Sequence, residues 1–222
     1  SLIILSLSPT SLSSSVFMSR YHVSSSEGQY ERESGEQVLV NKLGITDSDE
    51  LDGAELVLLE QLYRSVFEQH FPLGRITVEM LKGWHHRWLG NIYAWAGQAR
   101  TVNISKGGFM FAPSTRLPKL LDDFEVKYLA SYTPCSDMSE EQLIEAIAII
   151  HVELILIHPF REGNGRLSRL LADVMAVQGG HKPLDYQSWE QNRAQYISAI
   201  HSGMNMNYEP MKHWVNQAQR KY

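Results

Sequence analysis

Cysteine is all but missing: the 222-residue chain has one, Cys135, so no internal disulfide can staple the fold, and such usage suits a reducing cytosol. No apolar run reaches the length of a membrane span. The brief apolar run from Leu2 to Leu5 lacks the basic flank of a signal peptide and falls far short of the about 20 residues that a membrane span needs. Charge of one sign is not in large excess, with 20 Lys and Arg against 25 Asp and Glu and a net charge of -5, which argues against nucleic acid as a direct partner. No repeat period is present. Adjacent His85 and His86 point to different faces of one predicted helix, and no convincing zinc set exists. The 43% hydrophobic content is enough to bury a sizeable core in one globular domain.

Composition changes along the chain. Serines crowd Ser11 to Ser15 and Ser24 to Ser26, so residues 1–36 are expected to be a poorly ordered extension, with Met18 a candidate native start and residues 1–17 outside the native chain. Residues 37–222 form the expected domain. Helical periodicity dominates it, over 50–69, 77–95, 115–131, 139–157, 166–178, 189–202 and 208–220. The aromatics Trp84, Trp88, Tyr93 and Trp95 fall along the second of these and read as core packing. Residues 100–111, β-branched and broken by Lys106-Gly107-Gly108, predict two short strands around a turn.

The most informative stretch is His158-Pro159-Phe160-Arg161-Glu162-Gly163-Asn164-Gly165-Arg166-Leu167-Ser168-Arg169. Ahead of it, residues 143–157 are almost continuously apolar, which predicts a helix buried on all sides, started by a Ser139/Gln142 capping box with Glu140 and Glu141 in its first turn. Pro159 ends that helix and pushes His158 out of the α region. Gly163-Asn164-Gly165 allows consecutive backbone N–H groups to face one concavity, and a helix follows from Arg166, so an anion site is expected there. A lone histidine beside an apolar segment is more often structural, and two arginines at i, i+3 suit a solvated helix face. A base, a carboxylate four residues on, an anion nest and two arginines together read instead as a loop that holds a magnesium polyphosphate beside a proton acceptor.

This segment resembles the signature of the Fic family, His-x-Phe-x-(Asp/Glu)-Gly-Asn-Gly-Arg-x-x-Arg, at every defined position. The likeness extends over roughly residues 38–215, through Asn41-Lys42-Leu43-Gly44-Ile45, Asn91-Ile92-Tyr93-Ala94-Trp95-Ala96-Gly97, Asn103-Ile104-Ser105-Lys106-Gly107-Gly108-Phe109 and Tyr208-Glu209-Pro210-Met211. The resemblance implies an all-α fold, a helical bundle with a short β-hairpin flap beside the active loop. It also implies transfer of AMP from ATP to a Ser, Thr or Tyr hydroxyl of a target protein. In these terms His158 is the general base and Glu162 the Mg²⁺ ligand. Gly163, Asn164 and Gly165 hold the α- and β-phosphates, Arg166 neutralises the leaving pyrophosphate, and Arg169 reaches the γ-phosphate. Lys106 and Gly107 of the flap and Tyr196, near the adenine, complete the nucleotide-binding set, while the flap edge pairs with the target. Phe160 is a packing anchor.

Many Fic proteins carry an inhibitory helix with a (Ser/Thr)-x-x-x-Glu-(Gly/Asn) pattern, whose glutamate pairs with the second signature arginine. Here Glu27-Gly28 is the one Glu-Gly outside the active loop, and Val23 stands where Ser or Thr is required. The resemblance is therefore to the subclass restrained by a separate small antitoxin, with no glutamate of this chain on Arg169. The opposing reading is a degenerate built-in inhibitor at Ser24 to Gly28. By analogy the target class includes topoisomerase subunits, and the expected location is cytoplasmic, or another cell after delivery. The alternatives are a Fic-fold transferase of another phosphate-containing group, and a non-catalytic nucleotide-binding module.

Overall fold

A computed structural model describes residues 26–220. Its centre is α5 (Glu140–Ile157), started by the expected capping box, in which Gln142 N–H donates to Ser139 Oγ and the Gln142 side chain accepts from Ser139 N. Most residues from Leu143 to Ile157 are buried, with Glu145 exposed and Ile144, Glu153 and Leu156 partly so, which means that neighbours cover most of the helix surface. They are α6 (Asn164–Gln178), α9 (Glu209–Ala218), α3 (Leu117–Phe124) and α8 (Arg193–Ser202). A second pair, α1 (Ser48–Arg64) and α2 (Val78–Leu89), closes over α6. The short α4 (Ala130–Tyr132) and α7 (Gln187–Gln191) complete the helices. Cys135 is buried and donates from Sγ to Tyr132 O, and burial pushes its thiol up to about 12. Among the described residues no helix is long and apolar enough to cross a membrane.

Several expected boundaries move. The helix expected over 77–95 keeps its Thr77 cap but ends at Leu89, where Lys42 takes over the chain that follows: its Nζ donates to Gly90 O and its N–H to Ile92 O. The helix expected over 189–202 is cut in two at Asn192, whose Nδ2 and N–H both donate to Ser188 O, a local bond that competes with the helical ladder. Five-residue π turns, Ser65–Gln69 and Glu125–Leu129, sit inside the segments expected as plain helix. The signature helix starts at Asn164 rather than Arg166.

The hairpin is shorter than expected, β1 (Ser105–Lys106) against β2 (Phe109–Met110), with Ser105 opposite Met110 and Lys106 opposite Phe109. Gly107 and Gly108 both have positive φ, +56° and +77°, the condition for the tight two-residue turn whose twist matches paired strands. Phe111 N–H to Ile104 O extends the pairing.

Residues 26–36 fall in the expected extension, yet they pack on the domain; the Met18 start and residues 1–25 lie outside the described residues. Ser26–Gly28 forms a 3-10 turn, Tyr30 bridges Leu39, and Glu31 Oε1 accepts from Asn41 N–H. The Asn41 side chain then binds the main chain of Leu39, Leu43 and Ile45, fixing the turn into α1. The result is a strap lying against the loop that follows α5, where Arg161 Nε donates to Glu27 O.

Candidate active site

His158 caps the C-terminus of α5 in the left-handed region, φ 52° and ψ 60°, rather than the extended region that a following proline favours. The reason lies in what surrounds it. Its own N–H still donates to Leu154 O, while Arg100 binds its carbonyl at 2.7 Å and Phe111 stacks on its ring at 3.7 Å. Its Nδ1 is 3.2 Å from Ile155 O, and a carbonyl can only accept, so the proton sits on Nδ1 and Nε2 carries the lone pair. Burial lowers its pKa to about 3, with Arg100, Lys106 and Arg161 adding positive charge nearby. The imidazole is a neutral acceptor of fixed tautomer.

The loop beyond it is braced from within. Phe160 is buried and stacks on His85 at 4.0 Å. Asn164 Oδ1 accepts from Phe160 N–H and Nδ2 donates to Phe160 O. That pairing uses the carboxamide expected to face a phosphate, so this position offers an anion its backbone N–H. Gly163 has φ +82°, and a Cβ there would lie 2.6 Å from Trp88, so only glycine fits. The first helical bond of α6 is Leu167 N–H to Gly163 O, so the N–H groups of Asn164, Gly165 and Arg166 precede the ladder at the positive end of the helix. Open space lies where a Gly165 Cβ would project. These N–H groups are available to an anion at the positive end of α6.

The charged residues are held by partners remote in sequence. Arg166 Nη1 lies 2.6 Å from Glu55 Oε2, and its guanidinium sits 4.6 Å over Trp88. Glu55 is buried, and it also accepts from Tyr93 at 2.7 Å. Sequence reading missed it, although a signal existed: Glu55 falls between Leu51 and Leu59 at four-residue spacing, on the apolar face of α1. Glu162 reaches Arg161 Nη1 at 3.3 Å with its side chain 38% exposed. Burial raises its carboxyl pKa and Arg161 opposes that. His85, stacked on Phe160, also donates from Nε2 to Glu162 O at 2.9 Å and accepts Gly97 N–H on Nδ1. Burial takes its pKa down to about 4, which keeps it neutral for both bonds.

Arg169 requires a correction. A glutamate of this chain does reach it: Glu190 Oε1 of α7 is 3.2 Å from Nη1. Its guanidinium lies 4.8 Å over the Tyr186 ring, which donates from its hydroxyl to Asp173 at 2.8 Å. Glu27 is elsewhere. Its carboxylate accepts from Thr101 N–H at 2.9 Å and Thr101 Oγ at 3.2 Å, and its carbonyl accepts from Arg161 Nε. Lys106 and Gly107 lie exposed at the flap turn, with Lys106 near the charges of Arg193, Glu162 and Arg166. Tyr196 points into the seam between α5 and α8, its hydroxyl 2.6 Å from His151 Nε2 and its ring stacked on Trp189.

Among the described residues no cluster of three or more His, Cys, Asp or Glu could cage a metal. Glu162 is a partly exposed carboxylate two residues ahead of the first residue of α6, with Arg161 as its ion-pair partner. That donor set fits a Mg²⁺ ion that takes one protein oxygen and completes its sphere with water and phosphate.

Comparison with known proteins agrees with this architecture. The profile of the Fic/DOC family matches residues 75–176. The probable protein adenylyltransferase y4lH of Sinorhizobium fredii is 26% identical over 159 residues, which cover 72% of this chain and 80% of that protein. Protein adenylyltransferase VbhT of Bartonella schoenbuchensis is 28% identical over 150 residues, 65% of this chain but 30% of that protein, so the chain spans under a third of VbhT. The structure of the translocated effector BepC of Bartonella tribocorum, solved with AMPPNP, superposes with a TM-score of 0.68 at 22% identity, over 85% of this chain and 95% of that one. The profile match takes in the signature loop, the flap and most of the helices that hold them, and together with these relatives it supports a Fic family protein.

Proposed function

We propose that this protein is an adenylyltransferase that moves AMP from ATP to a hydroxyl side chain of another protein. The observation that carries the reading is the tautomer of His158, whose Nδ1 proton is spent on Ile155 O so that Nε2 is free to accept. The substrate oxygen attacks the α-phosphorus, the bond from that phosphorus to the bridging oxygen breaks, and pyrophosphate leaves as Nε2 takes the hydroxyl proton. Arg166, steadied by Glu55 and Trp88, sits in the first turn of α6 to meet the charge on the leaving group. The N–H groups of Asn164, Gly165 and Arg166 form the phosphate cradle, and Lys106, Gly107 and Tyr196 are assigned to the nucleotide. Glu162 would hold Mg²⁺, which supplies charge neutralisation at the phosphates. Support from relatives lies in the names of y4lH and VbhT and in the AMPPNP bound to BepC.

Control by a small antitoxin belongs to the same proposal. Glu27 is engaged with Thr101 rather than Arg169, so among the described residues the glutamate of the candidate inhibitory segment does not make the contact an inhibitor needs. Glu190 does hold Arg169, so a γ-phosphate or a partner's glutamate has to displace it. The test uses α-labelled and γ-labelled ATP with candidate proteins. Label from the α position alone supports AMP transfer, label from γ alone makes the protein a kinase, and no label leaves a nucleotide-binding module.

A further inference from the structure

Arg100 is among the most buried side chains of the protein, 2% exposed, and among the described residues no carboxylate pairs with it. A buried guanidinium is costly unless its donors are satisfied, and here main-chain carbonyls satisfy them. Nε donates to His158 O at 2.7 Å and Nη2 to Ile157 O at 3.3 Å, two carbonyls left without helical partners where α5 ends. Nη1 donates to Val102 O at 2.8 Å and Nη2 to Ala112 O at 2.6 Å, one on each limb of the flap. The backbone N–H of Arg100 adds a bond to Pro159 O at 2.9 Å. A cation at the negative end of a helix is favourable in itself, but a lysine could supply that. The spread of bonds in three directions needs the planar fork of arginine.

We propose that Arg100 is a positioning residue for transfer: it ties the main chain of His158 to both limbs of the flap, so that the base and the strand edge facing the target hydroxyl keep one spacing. The phosphate cradle of α6 shares none of these bonds. Loss of the tie therefore acts chiefly on the transfer step, and on nucleotide binding only through the exposed flap turn at Lys106 and Gly107. The ring contact of Phe111 with His158 is the side-chain counterpart of the same link.

This rests on the proposed AMP transfer, and the experiment separates the two. Arg100→Lys and Arg100→Gln are compared with the unaltered chain for ATP affinity, for kcat of transfer and for melting. The expected result is ATP affinity within about twofold and kcat lower by about 100-fold in both, because displacing a reacting group by about 1 Å costs that much. Lysine keeps the charge and does not rescue. Rescue by lysine, or a parallel loss of affinity and kcat, would overturn the proposal. Hydrogen exchange on the unaltered chain gives a second reading that needs no variant: the amides of Arg100, Phe111 and His158 should open as one unit. Independent opening rejects the link. If the unaltered chain transfers no AMP yet these amides exchange together, the functional reading has failed and the mechanical tie stands.

Discussion

Glu27 sits where a built-in inhibitor would lie, yet its contacts make it a brace, and replacing it distinguishes the two. In Glu27→Ala the buried carboxylate that accepts both Thr101 N–H and Thr101 Oγ is gone, leaving a main-chain donor beside Arg100 without its acceptor. A hydrogen bond to a charged group contributes about 1.5–3 kcal/mol, and the two share one acceptor oxygen, so a loss of about 2–3 kcal/mol is expected. For a domain of this size each kcal/mol moves Tm by about 2–4 °C, which gives a fall of about 4–12 °C. Glu27→Gln keeps an acceptor for Thr101 and should lose about 1 kcal/mol. Deleting residues 1–36 removes in addition the carbonyl that holds Arg161 Nε, next to Glu162, so AMP transfer should fall along with Tm. Thermal melts followed by circular dichroism, paired with α-labelled ATP assays, read both quantities. A rise in transfer on deletion, reproduced by Glu27→Ala at unchanged Tm, would refute the brace and restore the inhibitor.

His158→Ala should cut transfer by about 10²–10⁴-fold with ATP affinity nearly kept. The base acts when neutral, that is above its pKa, and with that pKa near 3 the kcat/KM profile should stay level from pH 8 down to 6; a fall centred near the ordinary histidine value contradicts the assigned environment. Glu162→Gln should weaken the magnesium dependence of turnover, and an unchanged magnesium titration would make Glu162 structural. Glu55→Gln, which leaves Arg166 in place but loosens its ion pair, should lower kcat in the direction of Arg166→Ala and by less, as measured by steady-state transfer. Glu190→Gln frees Arg169 from a partly exposed pair of about 0.5–1 kcal/mol, so ATP should bind about two- to fivefold more tightly by calorimetry, whereas weaker binding would make Glu190 a support for the nucleotide.

The signature loop was legible in the sequence because its chemistry is contiguous: a histidine, a proline stop, a glycine turn and three arginines lie within twelve residues. The buried helix ahead of it and the glycine turn of the flap were legible for the same reason, since local pattern decides both. What stayed hidden acts across distance. Arg100 meets His158 58 positions away, and Glu55 meets Arg166 across 111. Neither pairing leaves a trace in local spacing, although a carboxylate on the apolar face of α1 could have been noticed. The break at Asn192 depends on one side-chain bond to Ser188 O that no periodicity records. Glu190, on the α7 side of that break, pairs with Arg169 across 21 positions, a contact that helical spacing does not announce.

The burial of Cys135 gives this protein a practical property. Its thiol is out of solvent, and with a pKa near 12 it stays protonated at neutral pH, so alkylating reagents find almost no thiolate on the folded chain. A cysteine introduced at the exposed Met110 would then be the fast-reacting sulfur in the molecule. A single fluorophore or spin label can be placed on the flap without first stripping the native residue from the core, and the motion of that hairpin as nucleotide and target arrive can be watched against a silent background.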